Sequence, residues 1–165
     1  MEGIVIKYNQ KNINTDLIIP AKYLNKSDPD HLAKHCMEDL DPNFHEKKQE
    51  LGASILVGDS NFGSGSSREQ APIAIKAAGI KCVIAPSFAR IFFRNAINIA
   101  LPVVEFSKID ELHSGDSLKI DLDQGLLANQ TTGKDFNIKK VPEFVQEIIA
   151  ENGLVNFAKK KLAEN

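Results

Sequence analysis

The fold follows from one stretch of the chain, Ser54-Ile55-Leu56-Val57-Gly58-Asp59-Ser60-Asn61-Phe62-Gly63-Ser64-Gly65-Ser66-Ser67-Arg68. Its apolar start, Ile55–Val57, predicts a buried strand, and Ile73–Ala78 beyond the loop predicts a helix. The same alternation continues with a strand at Cys82–Ala85, a helix at Phe88–Ile97 and a strand at Val103–Phe106. Strands that alternate with helices indicate βαβ crossovers and a parallel sheet.

The flanking regions add further elements to this core. An opening strand is expected at residues 3–8. Leu17-Ile18-Ile19 form a second apolar segment, which ends at Pro20. Residues 23–50 are polar and predict a long, mobile loop with one short helix at residues 31–37. After residue 105 the sequence predicts three short antiparallel strands, at Ser117–Leu122, Gly125–Ala128 and Phe136–Ile138, and then a helix that starts at Pro142.

We therefore expect an α/β protein: a single three-layer β/β/α domain over residues 1–165, with a mixed sheet built on a parallel βαβ core. Hydrophobic residues make up 42% of the 165 and charged residues 25%, which is typical of a globular protein. The 20 basic and 22 acidic side chains nearly balance, which argues against nucleic acid or an anionic membrane as a partner. Neither a membrane-spanning run nor a signal-peptide pattern is present, so we expect a cytoplasmic protein.

Metal-binding patterns are weak in this chain. Cys36 and Cys82 lie far apart and match no metal-ligand spacing, and Cys82 is expected to be a small buried apolar residue. A [4Fe–4S] cluster normally needs several thiolates, so this chain cannot hold one alone. His31 and His35 share one helix face, but they have no third ligand nearby. We predict no metal site in this chain.

The serine loop, residues 63–68, has the composition of an anion site. Gly63 and Gly65 permit positive φ and close approach of a ligand. Backbone N–H groups at a helix start attract anions, and Arg68 can hold a carboxylate or phosphate through two parallel hydrogen bonds. The loop lacks the lysine of a P-loop, and Arg68 stands where a dinucleotide-binding fingerprint needs its third glycine. A small acid is the favoured ligand.

A purely structural role for the serines is the alternative. Ser66 with Glu69, and Ser67 with Gln70, match the capping-box pattern, which only satisfies free N–H groups at a helix start. Pro72 places the regular helix near that residue. Ser87 is a candidate cap for the next helix. Arg90 and Arg94, four residues apart on that helix, are either surface charges or further contacts to the same anion.

Three blocks of sequence together resemble the swivel domain of aconitase-like hydro-lyases. They are Asn14-Thr15-Asp16-Leu17-Ile18-Ile19-Pro20-Ala21-Lys22-Tyr23-Leu24, Gly58-Asp59-Ser60-Asn61-Phe62-Gly63-Ser64-Gly65-Ser66-Ser67-Arg68-Glu69, and Ala85-Pro86-Ser87-Phe88-Ala89-Arg90-Ile91-Phe92 with Asn95. The resemblance runs from about residue 3 to the C-terminal helix. The length is similar to that of the free-standing small subunits in this family that work on isopropylmalate.

The resemblance implies that the active site is formed by two different subunits. A large subunit would hold a [4Fe–4S] cluster, and this chain would bring its serine loop over the site, with no cofactor of its own. Ser66 corresponds to the catalytic base, Ser67 to its neighbour at the site, and Arg68 to the residue that grips a substrate carboxylate. The implied reaction is dehydration and rehydration of a 2-alkylmalate, in leucine biosynthesis where the substrate is 2-isopropylmalate.

The residues after Tyr23-Leu24 leave the substrate open. The resemblance implies that these residues sort substrates, and here they are Asn25-Lys26-Ser27. Lys26 is a surface lysine or a partner for a third carboxylate, which would favour homoaconitate. A 2,3-dimethylmalate or citramalate-type substrate is also open. A stand-alone carboxylate-binding module is the non-enzymatic alternative, and a nucleotide-binding protein is a more distant one.

Overall fold

A computed structural model describes residues 1–165. Its centre is one seven-stranded mixed sheet. The strands are β1 (Glu2–Lys7), β2 (Ala53–Val57), β3 (Cys82–Ala85), β4 (Val103–Glu105), β5 (Ser117–Asp121), β6 (Leu126–Asn129) and β7 (Lys134–Asn137). They are ordered β4-β3-β2-β1-β5-β6-β7. Strands β1 to β4 run parallel to one another, whereas β1–β5, β5–β6 and β6–β7 are antiparallel pairs. This confirms the parallel core and the three antiparallel strands.

Seven α-helices accompany the sheet. They are α1 (Thr15–Ile18), α2 (Pro29–Lys34), α3 (Phe44–Leu51), α4 (Gln70–Ala77), α5 (Arg90–Asn98), α6 (Glu143–Ala150) and α7 (Leu154–Ala163). Short 3₁₀ turns lie at Ala21–Tyr23 and Ile109–Glu111. None of the helices is both long and apolar enough to cross a membrane.

The two faces of the parallel strands bury different layers. Side chains alternate along a strand, so neighbouring residues point to opposite faces. Leu56 and Val83 belong to the core that includes α4 residues such as Ile75. Ile55 and Ile84 belong to a second core, with Leu118 of β5 and other residues of the antiparallel strands. The sheet thus folds its antiparallel half against its parallel half, and helices cover the other side, as the β/β/α prediction requires.

The apolar residues Leu17-Ile18-Ile19 lie mostly in a helical turn. Residues 15–18 form one helical turn, and only Ile19 is extended. The Asn14 side chain accepts a hydrogen bond from the N–H of Leu17 at 2.9 Å, which caps the turn. This cap outweighs the weak preference of β-branched residues for strands.

Residues 23–50 contain more structure than the sequence indicated. The short helix is α2, which starts two residues earlier than expected because Asp28 caps it and Pro29 suits its first position. Helix α3 was not expected, since only its first residue, Phe44, is buried and no apolar periodicity marks it. Buried side chains of this segment, Leu32 and Met37 among them, join the helix-side core. The mobility of this segment stays a prediction.

Candidate active site

The serine loop leaves β2 and enters α4 through a backbone that needs glycine. Gly63 has φ +80° and Gly65 has φ +96°, both in the left-handed region that other residues avoid. The N–H of Gly63 donates to the carbonyl of Ile13 at 2.8 Å, so the loop is tied to the segment before α1. The loop therefore has a defined path, with Ser66 and Ser67 exposed at its outer edge.

The segment before and within α1 lies directly along the serine loop. The N–H of Thr15 donates to the carbonyl of Ser64 at 2.8 Å, and Asn14 pairs with Ser64 as an isolated parallel bridge. The hydroxyl oxygen of Thr15 lies 3.2 Å from the hydroxyl oxygen of Ser66. The first and second sequence blocks thus meet at the serine that is the expected base.

The third block is hydrogen-bonded to the residues just before the serine loop. The N–H of Phe62 donates to the carbonyl of Ser87 at 3.1 Å, and the N–H of Ala89 donates to the carbonyl of Phe62 at 2.9 Å. Ser87 is not the cap of α5, because its hydroxyl accepts instead from the N–H of Asn61 at 2.9 Å. Helix α5 begins at Arg90, after Ala89, with no side-chain cap. Ser87 therefore braces the serine loop.

Neither serine of the loop caps α4, so the capping-box interpretation is wrong. The residue before α4 is Glu69, which already has helical backbone angles, and no side chain caps the helix. Helix α4 starts at Gln70, two residues before Pro72. This leaves the Ser66 hydroxyl with Thr15 as its hydrogen-bond partner and Ser67 with no side-chain hydrogen bond. Both serines are exposed, so a ligand can reach their hydroxyls.

Arg68 is largely buried, with 18% of its side chain exposed, and it is held from one end. Its Nη1 donates to the carbonyl of Ile19 at 3.2 Å and forms an ion pair with Oδ1 of Asp16. A guanidinium carries five N–H donors. The donors that Asp16 and Ile19 do not use remain for a carboxylate in the fork geometry that arginine favours.

The remaining expected site residues are not drawn into this arrangement. Asn25 and Lys26 are exposed and form neither a hydrogen bond nor an ion pair. Arg90 and Arg94 are exposed and form no ion pair. The sequence placed Asn14, Thr15 and Asp16 in the first family block but did not identify Thr15 and Asp16 as partners of Ser66 and Arg68. The only sequence signal for Thr15 and Asp16 was that both belong to the first family block.

The residues of this chain do not fit an iron–sulfur cluster. Cys36 and Cys82 are both free thiols and fully buried, in the cores on opposite sides of the sheet. Burial raises the pKa of the Cys36 thiol and raises that of Cys82 to about 12, whereas a ligand must be a thiolate. His31 and His35 instead bond Tyr23 and Glu38, and no three ligand-type side chains converge anywhere in the chain.

Comparison with known proteins agrees with this geometry. The family model described as the aconitase C-terminal domain matches residues 1–109. A 3-isopropylmalate dehydratase small subunit from Nautilia profundicola is 59% identical over 99% of this chain and 96% of its own length. One from Caldanaerobacter subterraneus is 53% identical over 98% of this chain and 99% of its own length.

A solved structure shows the same fold. The crystal structure of 3-isopropylmalate dehydratase from Methanocaldococcus jannaschii superposes with a TM-score of 0.89 at 44% identity, covering 98% of this chain and 95% of that one. These similarities confirm the resemblance and the hydro-lyase class expected from the three sequence blocks. The chain belongs to the aconitase C-terminal domain family and, within it, to the 3-isopropylmalate dehydratase small subunits.

Proposed function

We propose that this chain is the small subunit of a two-subunit hydro-lyase that interconverts 2-isopropylmalate and 3-isopropylmalate in leucine biosynthesis. The observation that carries the proposal is the state of Ser66. Its hydroxyl is exposed, caps no helix and is bonded to a second hydroxyl, that of Thr15. A carboxylate-binding arginine follows two residues later on the same loop.

In this proposal Ser66 is the base and acid of the reaction. In dehydration the Ser66 alkoxide takes a proton from the carbon next to a carboxylate, and the electrons of that C–H bond form the C=C bond. The hydroxyl leaves the neighbouring carbon as hydroxide, with the electrons of the C–O bond. Rehydration returns the hydroxyl to the other carbon, and the Ser66 hydroxyl gives its proton back to the carbon that lost the hydroxyl. A serine alkoxide forms only where preorganised donors stabilise it.

Arg68 sets the position of the substrate. Its unused N–H donors grip one carboxylate in parallel, which holds the acidic C–H bond toward Ser66 and favours the alkoxide electrostatically. Asp16 and Ile19 hold the other end of the guanidinium, so the side chain needs little reordering when the substrate binds. Ser67, exposed and without a side-chain partner, supplies a further hydrogen bond to the same substrate.

The partner in this proposal is a large subunit that carries the [4Fe–4S] cluster. The cluster would supply the Lewis acidity that draws off the substrate hydroxyl. This chain has no residues that fit the cluster, which supports its placement on the other subunit. The exposure of Ser66 and Ser67 at the outer edge of the loop suits a site closed by a second chain.

The test is turnover by the reconstituted enzyme. The purified chain is mixed anaerobically with its cluster-loaded large subunit and assayed with isopropylmalate, homoaconitate and 2,3-dimethylmalate. We expect turnover of isopropylmalate only when both chains are present. Ser66→Ala should lower kcat at least about 10²–10³-fold, as loss of one key electrostatic or proton-transfer group does.

Ser64→Ala is the matched control, because it makes the same change two residues away on the same loop. It should leave kcat near normal, and both variants should form the complex with the large subunit. Near-normal kcat in Ser66→Ala would overturn the assignment of the base. Binding of the acid without turnover of any substrate, in a proven complex with an intact cluster, would favour a carboxylate-binding module instead.

A further inference from the structure

The Thr15 hydroxyl is a buried group for which the function proposed above has no role. Thr15 is 2% exposed, and its Oγ1 atom lies 3.2 Å from both the carbonyl oxygen and the hydroxyl oxygen of Ser66. A threonine hydroxyl has a single proton, so it can donate to only one of these two acceptors at a time.

The geometry points to Thr15 as a positioning residue that holds the Ser66 hydroxyl and switches its own hydrogen bond onto the Ser66 alkoxide. The inference rests on the role of Ser66 as the base. While Ser66 is neutral, it donates to Thr15 Oγ1 and the Thr15 proton goes to the carbonyl of Ser66. Once Ser66 is ionised, rotation about the Cβ–Oγ bond of Thr15 turns its proton to the alkoxide.

This switch favours the ionised form of Ser66. A hydrogen bond to a charged acceptor is roughly twice as strong as one between neutral groups, so Thr15 stabilises the alkoxide more than the hydroxyl. Its burial strengthens the effect, since few waters compete for the same proton. The rotation of Thr15 itself adds no charge to the site, because it changes only the direction of the Thr15 O–H bond.

Thr15 is held firmly enough to do this. Its N–H donates to the carbonyl of Ser64 at 2.8 Å, and its carbonyl accepts from the N–H of Ile19 at 2.9 Å. A branched Cβ restricts the side chain to few rotamers. Gly65 leaves the space that the hydroxyl needs, since a Cβ atom there would lie 3.3 Å from Thr15 Oγ1.

The test compares Thr15→Val with Thr15→Ser in the reconstituted enzyme. Valine keeps the shape and removes the hydroxyl, whereas serine keeps the hydroxyl and removes the methyl group. Thr15→Val should lower kcat about 10²-fold, as loss of one donor to an oxyanion does, with KM within about twofold. Thr15→Ser should restore most of kcat. With substrate deuterated at the ionising carbon, the isotope effect on kcat should rise in Thr15→Val, because proton removal becomes more rate-limiting.

A packing role for Thr15 predicts the opposite order, with Thr15→Val active and Thr15→Ser impaired, and that result would overturn the inference. If Thr15→Val does not fold, Thr15→Ala provides the hydroxyl-free state for the same comparison with Thr15→Ser. Asn12→Gly is the control for general loosening of the segment that precedes α1. It removes the 2.8 Å bond between Asn12 and Asn61 at a position with φ +54°, and it should leave kcat near normal.

Ser66→Ala separates failure of this inference from failure of the proposed function. If Ser66→Ala is inactive but Thr15→Val keeps normal kcat and isotope effect, only the role of Thr15 is wrong. If Ser66→Ala stays active, the base is another group and the role of Thr15 falls with it.

Discussion

Gly63 packs against Phe92 so closely that no larger residue fits between them. A Cβ atom on Gly63 would lie less than 3.0 Å from both Cβ and Cγ of Phe92, and the residue also has φ +80°. This contact joins the serine loop to helix α5, which belongs to the third sequence block. It explains in physical terms why a glycine occupies the first position of the loop.

Gly63→Ala should therefore destabilise the fold. Overpacking combined with a left-handed backbone should lower the free energy of unfolding by about 2–4 kcal/mol, measured by urea denaturation. Gly133→Ala is the control, since Gly133 has φ +75° and nothing lies near its missing Cβ atom. It should lose only about 1 kcal/mol. Equal losses in the two variants would mean that the contact with Phe92 has no energetic weight.

Asp16→Asn should weaken substrate binding through Arg68. The carboxylate of Asp16 holds one end of the Arg68 guanidinium, but 64% of the Asp16 side chain is exposed, so solvent screens the pair. Exposed ion pairs contribute about 1 kcal/mol or less, so we expect KM to rise by at most about fivefold, with a smaller change in kcat. Steady-state kinetics of the reconstituted enzyme measures both constants.

Arg68→Lys makes the matching change on the other partner. Lysine keeps the positive charge but loses the planar fork, so this variant should be more impaired than Asp16→Asn. If Arg68→Lys kept a normal KM, a point charge would be sufficient and the bidentate grip on the substrate would be wrong.

Asp41 should make the fold sensitive to acid. Burial by itself favours the neutral carboxyl, but the ammonium of Lys47, the hydroxyl of Tyr8 and the N–H of Asn43 outweigh it and hold the pKa of Asp41 below its ordinary value. The unfolded chain has the higher pKa, so this stabilisation is present above about pH 4 and is lost as the pH falls through the folded-state pKa.

Asp41→Asn should lower the free energy of unfolding at pH 7 by about 1–2 kcal/mol, because a charged acceptor is replaced by a neutral one. The loss should shrink as urea titrations are repeated from pH 6 to pH 3. Glu111→Gln is the control, because Glu111 pairs with Lys134 at an exposed surface. Its effect should be smaller. A loss in Asp41→Asn that is independent of pH would contradict the charge argument.

Replacement of Asn25 and Lys26 by two apolar residues tests the choice of substrate. Both side chains are exposed and without polar partners in the isolated chain, so the change should leave the free energy of unfolding nearly unaltered. If these residues face the substrate in the complex, kcat/KM for isopropylmalate should change relative to that for homoaconitate. If the ranking of kcat/KM for the two substrates is unchanged, these two residues do not set the substrate preference.

Local patterns in the sequence were sufficient for the order of strands and helices between residues 53 and 105. Each of these elements carries its own signal, an apolar run or a helical repeat bounded by turn residues. The same approach left the conformation of Leu17-Ile18-Ile19 open, where the Asn14 cap starts a helical turn, and it missed α3, which buries too little to show a repeat. The Ser87 cap failed because the Ser87 hydroxyl accepts from the N–H of Asn61 instead. The serine capping box failed because helix α4 begins only at Gln70, after Glu69, and the Ser66 hydroxyl pairs with Thr15.

The sequence by itself determined the α/β class, the serine loop with its two left-handed glycines, and the membership of the family. These depend on residue type and short spacing, which are local properties of the chain. Only the tertiary structure decided that Thr15 meets Ser66 and that Asp16 meets Arg68, pairs that are about 50 residues apart in sequence. These contacts depend on how β1 and β2 pair and on how the segments that follow the two strands run side by side. No local sequence pattern encodes contacts between residues so far apart.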